Sequence, residues 1–119
     1  MKLSEAILEG CSLIPVQATG HYFSTEEDGT PSCCVLGAAL IGKRDQIPLL
    51  VKESYSGGEM EEIITILLKE EFDVLSDVEV YLCPICGRPF HLFGLCSHLN
   101  DREKWTREQI ASWLKGQGL

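Results

Sequence analysis

One stretch in the middle of the chain has the 3.6-residue apolar period of an amphipathic helix. It follows Ser56-Gly57-Gly58-Glu59, which has the spacing of a capping box, and Tyr55 and Met60 have the spacing of a hydrophobic staple around it. Glutamates fall outside the apolar stripe, as expected for a helix with one face on the core. The stripe consists of Met60, Ile63, Ile64, Leu67 and Leu68.

A shorter helix is predicted near the start of the chain, from about Ser4 to Gly10. Ser4 is expected to cap its free backbone amides, and Leu3 and Leu8 have the spacing of a hydrophobic staple. Pro15 prevents the helix from continuing. Two non-helical segments are predicted after it: the extended segment His21–Phe23 and the acidic turn Glu26–Gly29.

The most apolar segment, Cys33–Gly42, is hydrophobic on nearly every side. It is much shorter than the roughly 20 residues that cross a bilayer, so it is predicted to be a central buried helix whose small residues permit close packing. Thr30-Pro31 is typical of a helix start, and Gly42-Lys43-Arg44 is typical of a helix end. The next apolar run, Ile47–Val51, is compatible with either a helix or a strand.

Two further elements are predicted near the C-terminus. Alternating apolar residues over Val78–Leu82 predict a strand. Thr106 and Gln109 have the spacing of a capping box at the start of a last helix. The staple of that helix is Trp105 and Ile110, and its apolar face is Ile110, Trp113 and Leu114.

Charge is distributed unevenly along the chain of 119 residues, whose formal net charge is −8. Residues 1–82 hold 15 acidic and 5 basic side chains, whereas residues 83–119 hold 3 and 5. The N-terminal part should therefore repel nucleic acid and anionic membranes. No secretory signal or membrane span is expected, so the six cysteines are predicted to be reduced thiols or metal ligands in the cytoplasm.

The most informative motif is Cys83-Pro84-Ile85-Cys86-Gly87. Two thiols separated by two residues, with Pro after the first and Gly after the second, indicate a tight turn that directs both sulfur atoms to one point. Structural zinc is held by four such ligands in a tetrahedron. His98 follows at a suitable distance, so Cys83, Cys86 and His98 are predicted to bind Zn²⁺.

Three residues compete for the fourth position. Cys96 is the preferred candidate because a thiolate is the best donor, although in a regular helix it points away from His98. It could bind if the helix began only after it. Glu103 lies near the appropriate helical face, and His91 would need the hairpin to fold back.

The spacing from Cys86 onward resembles a degenerate two-cysteine two-histidine zinc finger, which is a hairpin followed by a helix. Phe90 and Leu95 stand where that family has its core aromatic and leucine residues. The loop is one residue shorter, and Glu103 stands where a second histidine would be expected. The resemblance implies a hairpin and helix over about 80–105.

Three other segments resemble a family of small uncharacterised bacterial and prophage-encoded proteins. Members of that family tend to have a histidine at the position of Glu103, and the resemblance implies a fold but no function. The segments are Leu3–Ile7, Cys34–Leu40, and His98–Asp101 followed by Trp105–Ala111.

These features together predict an α+β fold that is mainly helical, with short strands and a C-terminal zinc-finger-like hairpin and helix. The chain is expected to form one domain, 1–119. Residues 1–77 should make a mainly helical core, and residues 78–119 a zinc-finger-like subdomain followed by the last helix.

The function predicted from these features is a non-catalytic, zinc-stabilised domain that binds another protein. One alternative is a nucleic-acid-binding finger over residues 88–107, which would contact phosphates through basic side chains. Another is a thiol oxidoreductase using Cys83 and Cys86, which Gly87 and Pro89 disfavour because they oppose a helix after the cysteine pair. The basic side chains of the first alternative are Arg88, Arg102, Lys104 and Arg107.

Overall fold

The computed structural model describes residues 1–44 and 58–119, with side chains described from residue 61 in the second range. The described part is a mainly helical α+β structure. Ile47–Val51, Tyr55, Ser56 and Gly57 lie outside it, and the side chains of Glu59 and Met60 are not described either. The elements are α1 (Leu3–Leu13), β1 (Val16–Gln17), β2 (Phe23–Thr25), β3 (Pro31–Cys33), α2 (Val35–Lys43), α3 (Gly58–Glu71), a 3₁₀ turn (Asp73–Leu75), β4 (Val80–Leu82), β5 (Pro89–His91), α4 (Leu92–Asp101) and α5 (Arg107–Gly116).

Helix α1 begins one residue earlier than its predicted cap. The Lys2 amide donates to Glu5 Oε1 at 2.8 Å, whereas Ser4 is buried inside the first turn. Leu8 is 49% exposed, so it does not form a staple with the buried Leu3. The predictions that Ser4 caps the helix and that Leu8 forms a staple with Leu3 were therefore wrong. Leu3 is itself the first residue of the helix and lies on its buried face, which leaves Ser4 inside the first turn.

Helices α1 and α2 cross at glycine positions. A Cβ atom on Gly10 would lie 1.8 Å from the carbonyl oxygen of Ala38, and one on Gly42 would lie 1.8 Å from that of Ala6. Both alanines are fully buried. The prediction of a central buried helix whose small residues permit close packing is confirmed.

The N-terminal sheet has the strand order β1-β3-β2. β1 runs parallel to β3, and β2 runs antiparallel to β3 with Ser24 opposite Ser32. Pro31 was predicted to start a helix, but it begins strand β3 instead. Helix α2 starts later, after Cys34, whose sulfur accepts a hydrogen bond from the Gly37 amide at 3.5 Å.

Helix α3 contributes part of its predicted stripe to the core. Ile64 and Leu68 are fully buried, but Ile63 is 45% exposed. The predicted helix is confirmed over the residues that the structure describes, while its buried face is narrower than the stripe.

The C-terminal elements share the core of the N-terminal helices. Leu95, Leu99 and Ile110 are fully buried in the same hydrophobic cluster as α1 and α2. The capping box of α5 is confirmed, because the Gln109 amide donates to Thr106 Oγ1 at 3.1 Å and the Thr106 amide donates to Gln109 Oε1 at 2.8 Å. In the described ranges, no helix is long and apolar enough to cross a membrane.

Two buried polar side chains attach α4 and α5 to the rest of the molecule. Asn100 Oδ1 accepts from the Val35 amide at 3.0 Å, and its Nδ2 donates to the Ala18 carbonyl at 2.9 Å. Arg107, only 2% exposed, donates to the carbonyl oxygens of Ile14 and Pro15 at 2.8 and 2.6 Å. These bonds fix α4, and therefore His98, relative to the core.

Candidate metal centre

The cysteine pair lies in the turn of the β4–β5 hairpin. Tyr81 pairs with Phe90 across the two strands. The Cys83 amide donates to the Arg88 carbonyl at 2.9 Å, and the Gly87 amide donates to the Cys83 carbonyl at 2.9 Å. Gly87 has φ +74°, a left-handed conformation that favours glycine. The turn therefore closes tightly between the two strands.

Within this turn the two cysteines face each other. The Cys86 amide donates to Cys83 Sγ at 3.4 Å. Cys83 is buried, at 2% exposure, whereas Cys86 is exposed. No helix starts at the pair, in contrast to the arrangement expected of a thioredoxin-like site.

His98 brings a nitrogen ligand to the same point from helix α4. Its ring stacks on Phe90, with the centroids 4.6 Å apart and the planes 29° from parallel. His98 Nε2 lies 3.5 Å from Cys86 Sγ. The ligand atoms of Cys83, Cys86 and His98 all lie within 4.8 Å of one another. These three predicted residues are therefore brought together.

The separation of sulfur and nitrogen fits a tetrahedral metal. With bonds of about 2.3 Å from zinc to sulfur and about 2.0 Å from zinc to nitrogen, the S···N edge of a zinc tetrahedron is about 3.5 Å. The observed distance between Cys86 Sγ and His98 Nε2 is 3.5 Å. The cluster could hold a metal ion of this size without rearrangement of these two groups.

The environment of Cys83 favours its thiolate. Burial raises the pKa of the Cys83 thiol, but hydrogen bonds from the backbone amides of Cys86 and Ile85 and from the Cys86 side chain together outweigh this effect and hold the pKa below its ordinary value. A thiolate is the form of cysteine that binds metals. The negative charge of Glu103 acts in the opposite direction and raises the pKa.

Cys96, the preferred fourth ligand, lies outside this group. Helix α4 begins at Leu92, so Cys96 is well inside the helix and the condition for its participation is not met. Its side chain is 1% exposed, and burial raises its pKa to about 12. The geometry corrects the sequence-based choice: two residues of helix rotate Cys96 about 200° from His98, toward the core.

The other two candidates for the fourth position differ in their placement. His91 is exposed at the end of β5 and does not belong to the cluster. Glu103 Oε1 lies 3.7 Å from His98 Nε2, and both side chains are mostly buried, at 18% and 15% exposure. Glu103 is therefore the carboxylate beside the cluster.

Four other residues that the sequence analysis considered are buried and contribute to the fold rather than to the metal cluster. Cys11, Cys33 and Cys34 are buried free thiols in the core, as predicted. Arg107, one of the basic residues considered for phosphate contact, is 2% exposed and bound to backbone carbonyls. Its side chain is thus occupied within the fold. Asn100 and Arg107 were not predicted as buried anchors; the signal was a polar residue within an apolar helical face.

The fold and the site define a mainly helical α+β protein with a candidate Cys-Cys-His metal centre at a hairpin turn. Comparison with protein-family models, with curated proteins and with solved structures finds no match.

Proposed function

We propose that this protein is a non-catalytic, zinc-stabilised domain that binds another protein. The observation that carries the proposal is the convergence of Cys83, Cys86 and His98, with an S···N distance of 3.5 Å. Two thiolates and an imidazole favour zinc over calcium or magnesium, which prefer oxygen ligands.

The position of the cluster supports a structural role for the metal. It joins the turn of the β4–β5 hairpin to helix α4, which follows β5 directly in the chain and whose His98 stacks on Phe90. An isolated two-stranded hairpin is marginally stable in water, so a metal bridge at this point would add folding free energy where it is most needed.

The hairpin presents an aliphatic surface, which supports protein binding. Val80 and Leu82 point away from the core on β4, at 54% and 65% exposure, while Tyr81 between them packs edge-on against Trp113. Val78 and Ile85 extend the surface on either side, at 86% and 61% exposure. Exposed aliphatic residues grouped on one element are typical of a protein interface. We call Val78, Val80, Leu82 and Ile85 the hairpin surface.

Charge favours an apolar protein partner over a nucleic acid. The net charge is −8, and Arg107 is buried rather than available to phosphates. All six cysteines are free thiols, which is compatible with a reducing compartment. This supports a cytoplasmic location as part of the proposal.

The metal part of the proposal is tested by elemental analysis of the purified protein. We expect one zinc ion per chain in the wild type and in Cys96→Ala, but none in Cys86→Ser. Cys86 is exposed, so its substitution should leave the circular dichroism spectrum nearly unchanged. A metal-free wild type, or full zinc content in Cys86→Ser, would refute the zinc site.

The binding part is tested with a partner isolated on the wild-type protein and then measured against variants. The double substitution Val80→Ser and Leu82→Ser should abolish binding, while the control Leu8→Ser and Leu13→Ser, which changes comparably exposed leucines on α1, should not. Equal binding by both would refute the hairpin surface. A low-salt shift with DNA or RNA that weakens steeply as salt is added would favour the nucleic-acid alternative instead.

A further inference from the structure

We infer that Glu103 is the fourth protein ligand of the metal centre, which makes the site a closed Cys₂-His-Glu tetrahedron. This inference rests on the proposed zinc site. It is drawn from the position of the Glu103 carboxylate, from the atom of His98 that this carboxylate faces, and from the chain turn that places it there.

The Glu103 carboxylate already lies beside one of the ligand atoms. Glu103 Oε1 lies 3.7 Å from His98 Nε2. A zinc ion with oxygen and nitrogen ligands at about 2.0 Å each has an O···N edge of about 3.3 Å. The Glu103 carboxylate does not lie within 4.8 Å of all three ligand atoms of the cluster, so completing the tetrahedron also requires this side chain to turn toward the two sulfur atoms.

The ring nitrogen that a carboxylate approaches distinguishes a direct metal ligand from a carboxylate that only orients the histidine. Outer carboxylates that orient a metal-binding histidine accept a hydrogen bond from its other ring nitrogen. Here Glu103 approaches Nε2, the same nitrogen that faces Cys86 Sγ at 3.5 Å. Glu103 thus lies on the side where the metal would sit.

The backbone explains how Glu103 reaches this position. Helix α4 ends at Asp101, and the amides of Arg102 and Glu103 both donate to the His98 carbonyl, at 2.8 and 3.1 Å. Lys104 then adopts φ +58°, the one positive φ of a non-glycine residue in the described ranges. The two hydrogen bonds to the His98 carbonyl keep Glu103 next to His98, and the left-handed conformation of Lys104 ends the helical path just after it.

The charge of Glu103 also supports its role as a metal ligand. Glu103 is a carboxylate with only 18% exposure, and it contacts His98 of a cluster that also contains two cysteines. In the part of the chain that the structure describes, no Lys or Arg forms an ion pair with Glu103, and its contact is with His98. A divalent cation bound between these groups would offset the mutual repulsion of the carboxylate and the thiolates.

The test compares Glu103→Gln with the exposed control Glu70→Gln in the full chain. Zinc affinity is measured by competition with a chromophoric chelator, and the protein is also loaded with Co²⁺ to read the visible bands that report tetrahedral ligands. Glu103→Gln should lower zinc affinity by at least about tenfold to a hundredfold, and it should alter the cobalt bands. Glu103→His should restore the affinity with shifted bands, since nitrogen replaces oxygen. Circular dichroism verifies that each variant is folded.

Two results separate the failure of this inference from the failure of the proposed function. If the wild type binds zinc and Glu103→Gln keeps both its affinity and its cobalt spectrum, Glu103 is not a ligand although the zinc site stands. If affinity falls while the cobalt bands stay unchanged, Glu103 acts only as an outer partner, and the inference is again overturned. If the wild type binds no zinc, the proposed function itself fails.

Discussion

The substitution Gly10→Ala should destabilise the protein strongly, although alanine is the better helix former. The added Cβ would lie 1.8 Å from the carbonyl oxygen of Ala38, whereas ordinary contact begins at 3.4 Å. The obstructing atom belongs to the backbone of α2, so no side chain can rotate away. The two helices must therefore separate by about 1.6 Å, the difference between these distances.

The magnitude follows from what this separation costs. A gap of about 0.5–1 Å already forfeits a quarter to a half of the dispersion energy between facing atoms. Overpacking of a core usually costs about 1–3 kcal/mol and occasionally more, and a clash between two backbones belongs at the upper end. The higher helix propensity of alanine relative to glycine offsets about 1 kcal/mol of this destabilisation. We expect a net loss of about 2 kcal/mol or more in the free energy of unfolding.

Urea unfolding of the zinc-loaded protein, followed by circular dichroism and tryptophan fluorescence, measures this loss. Gly94→Ala is the matched control, because its Cβ would meet only Phe90 at 3.8 Å, and it should stabilise the protein by up to about 1 kcal/mol. Gly42→Ala should cost as much as Gly10→Ala, and the double variant should cost less than their sum because both act on one interface. A loss below about 0.5 kcal/mol for Gly10→Ala would refute the argument.

Three further predictions concern the metal, a buried amide and the alkaline limit of stability. Removal of zinc with a strong chelator should lower the melting temperature, and re-addition of zinc should restore it; an unchanged melting curve would contradict a structural metal. Asn100→Ala should cost about 2–4 kcal/mol in urea unfolding, since it leaves the Val35 amide and the Ala18 carbonyl without their partner; a near-neutral result would show that water replaces the amide. Burial raises the pKa of the Cys33 thiol from 9.0 to about 12, so between these values the folded chain keeps this proton while the unfolded chain loses it. The contribution of this thiol to the free energy of unfolding should therefore be complete below pH 9 and fall between pH 9 and 12. The loss from this thiol is roughly 1 kcal/mol at pH 10, and Cys33→Ala should show a shallower decline; equal slopes would rule out this cause.

Much of the architecture follows from local patterns. The capping box of Thr106 and Gln109 starts α5 because both of its hydrogen bonds depend on residues three apart in sequence. The small residues of Cys33–Gly42 predict close packing of a buried helix for the same local reason. Cys83, Cys86 and His98 could be recognised because their residue types and spacing specify a turn and a downstream ligand.

The errors arise where distant residues decide. Pro31 is equally suited to the first turn of a helix and to the start of a strand, and pairing with Thr25 selects the strand. Whether Cys96 can reach the cluster depends on where α4 begins, which is set by packing against α2 rather than by the neighbouring residues. Donor chemistry alone favours the thiol, whereas the helix directs that thiol into the core.

Helix α4 contacts the candidate metal centre on one face and the core on the opposite face. His98 and Asn100 are two residues apart, so they point about 200° from each other, one toward the hairpin and the other toward α2. The contacts of Asn100 do not involve the metal, so loss of zinc should leave α4 anchored while the β4–β5 hairpin loses its bridge to His98. Because Val80 and Leu82 lie on that hairpin, the metal would stabilise the proposed binding surface more than it stabilises the helical core.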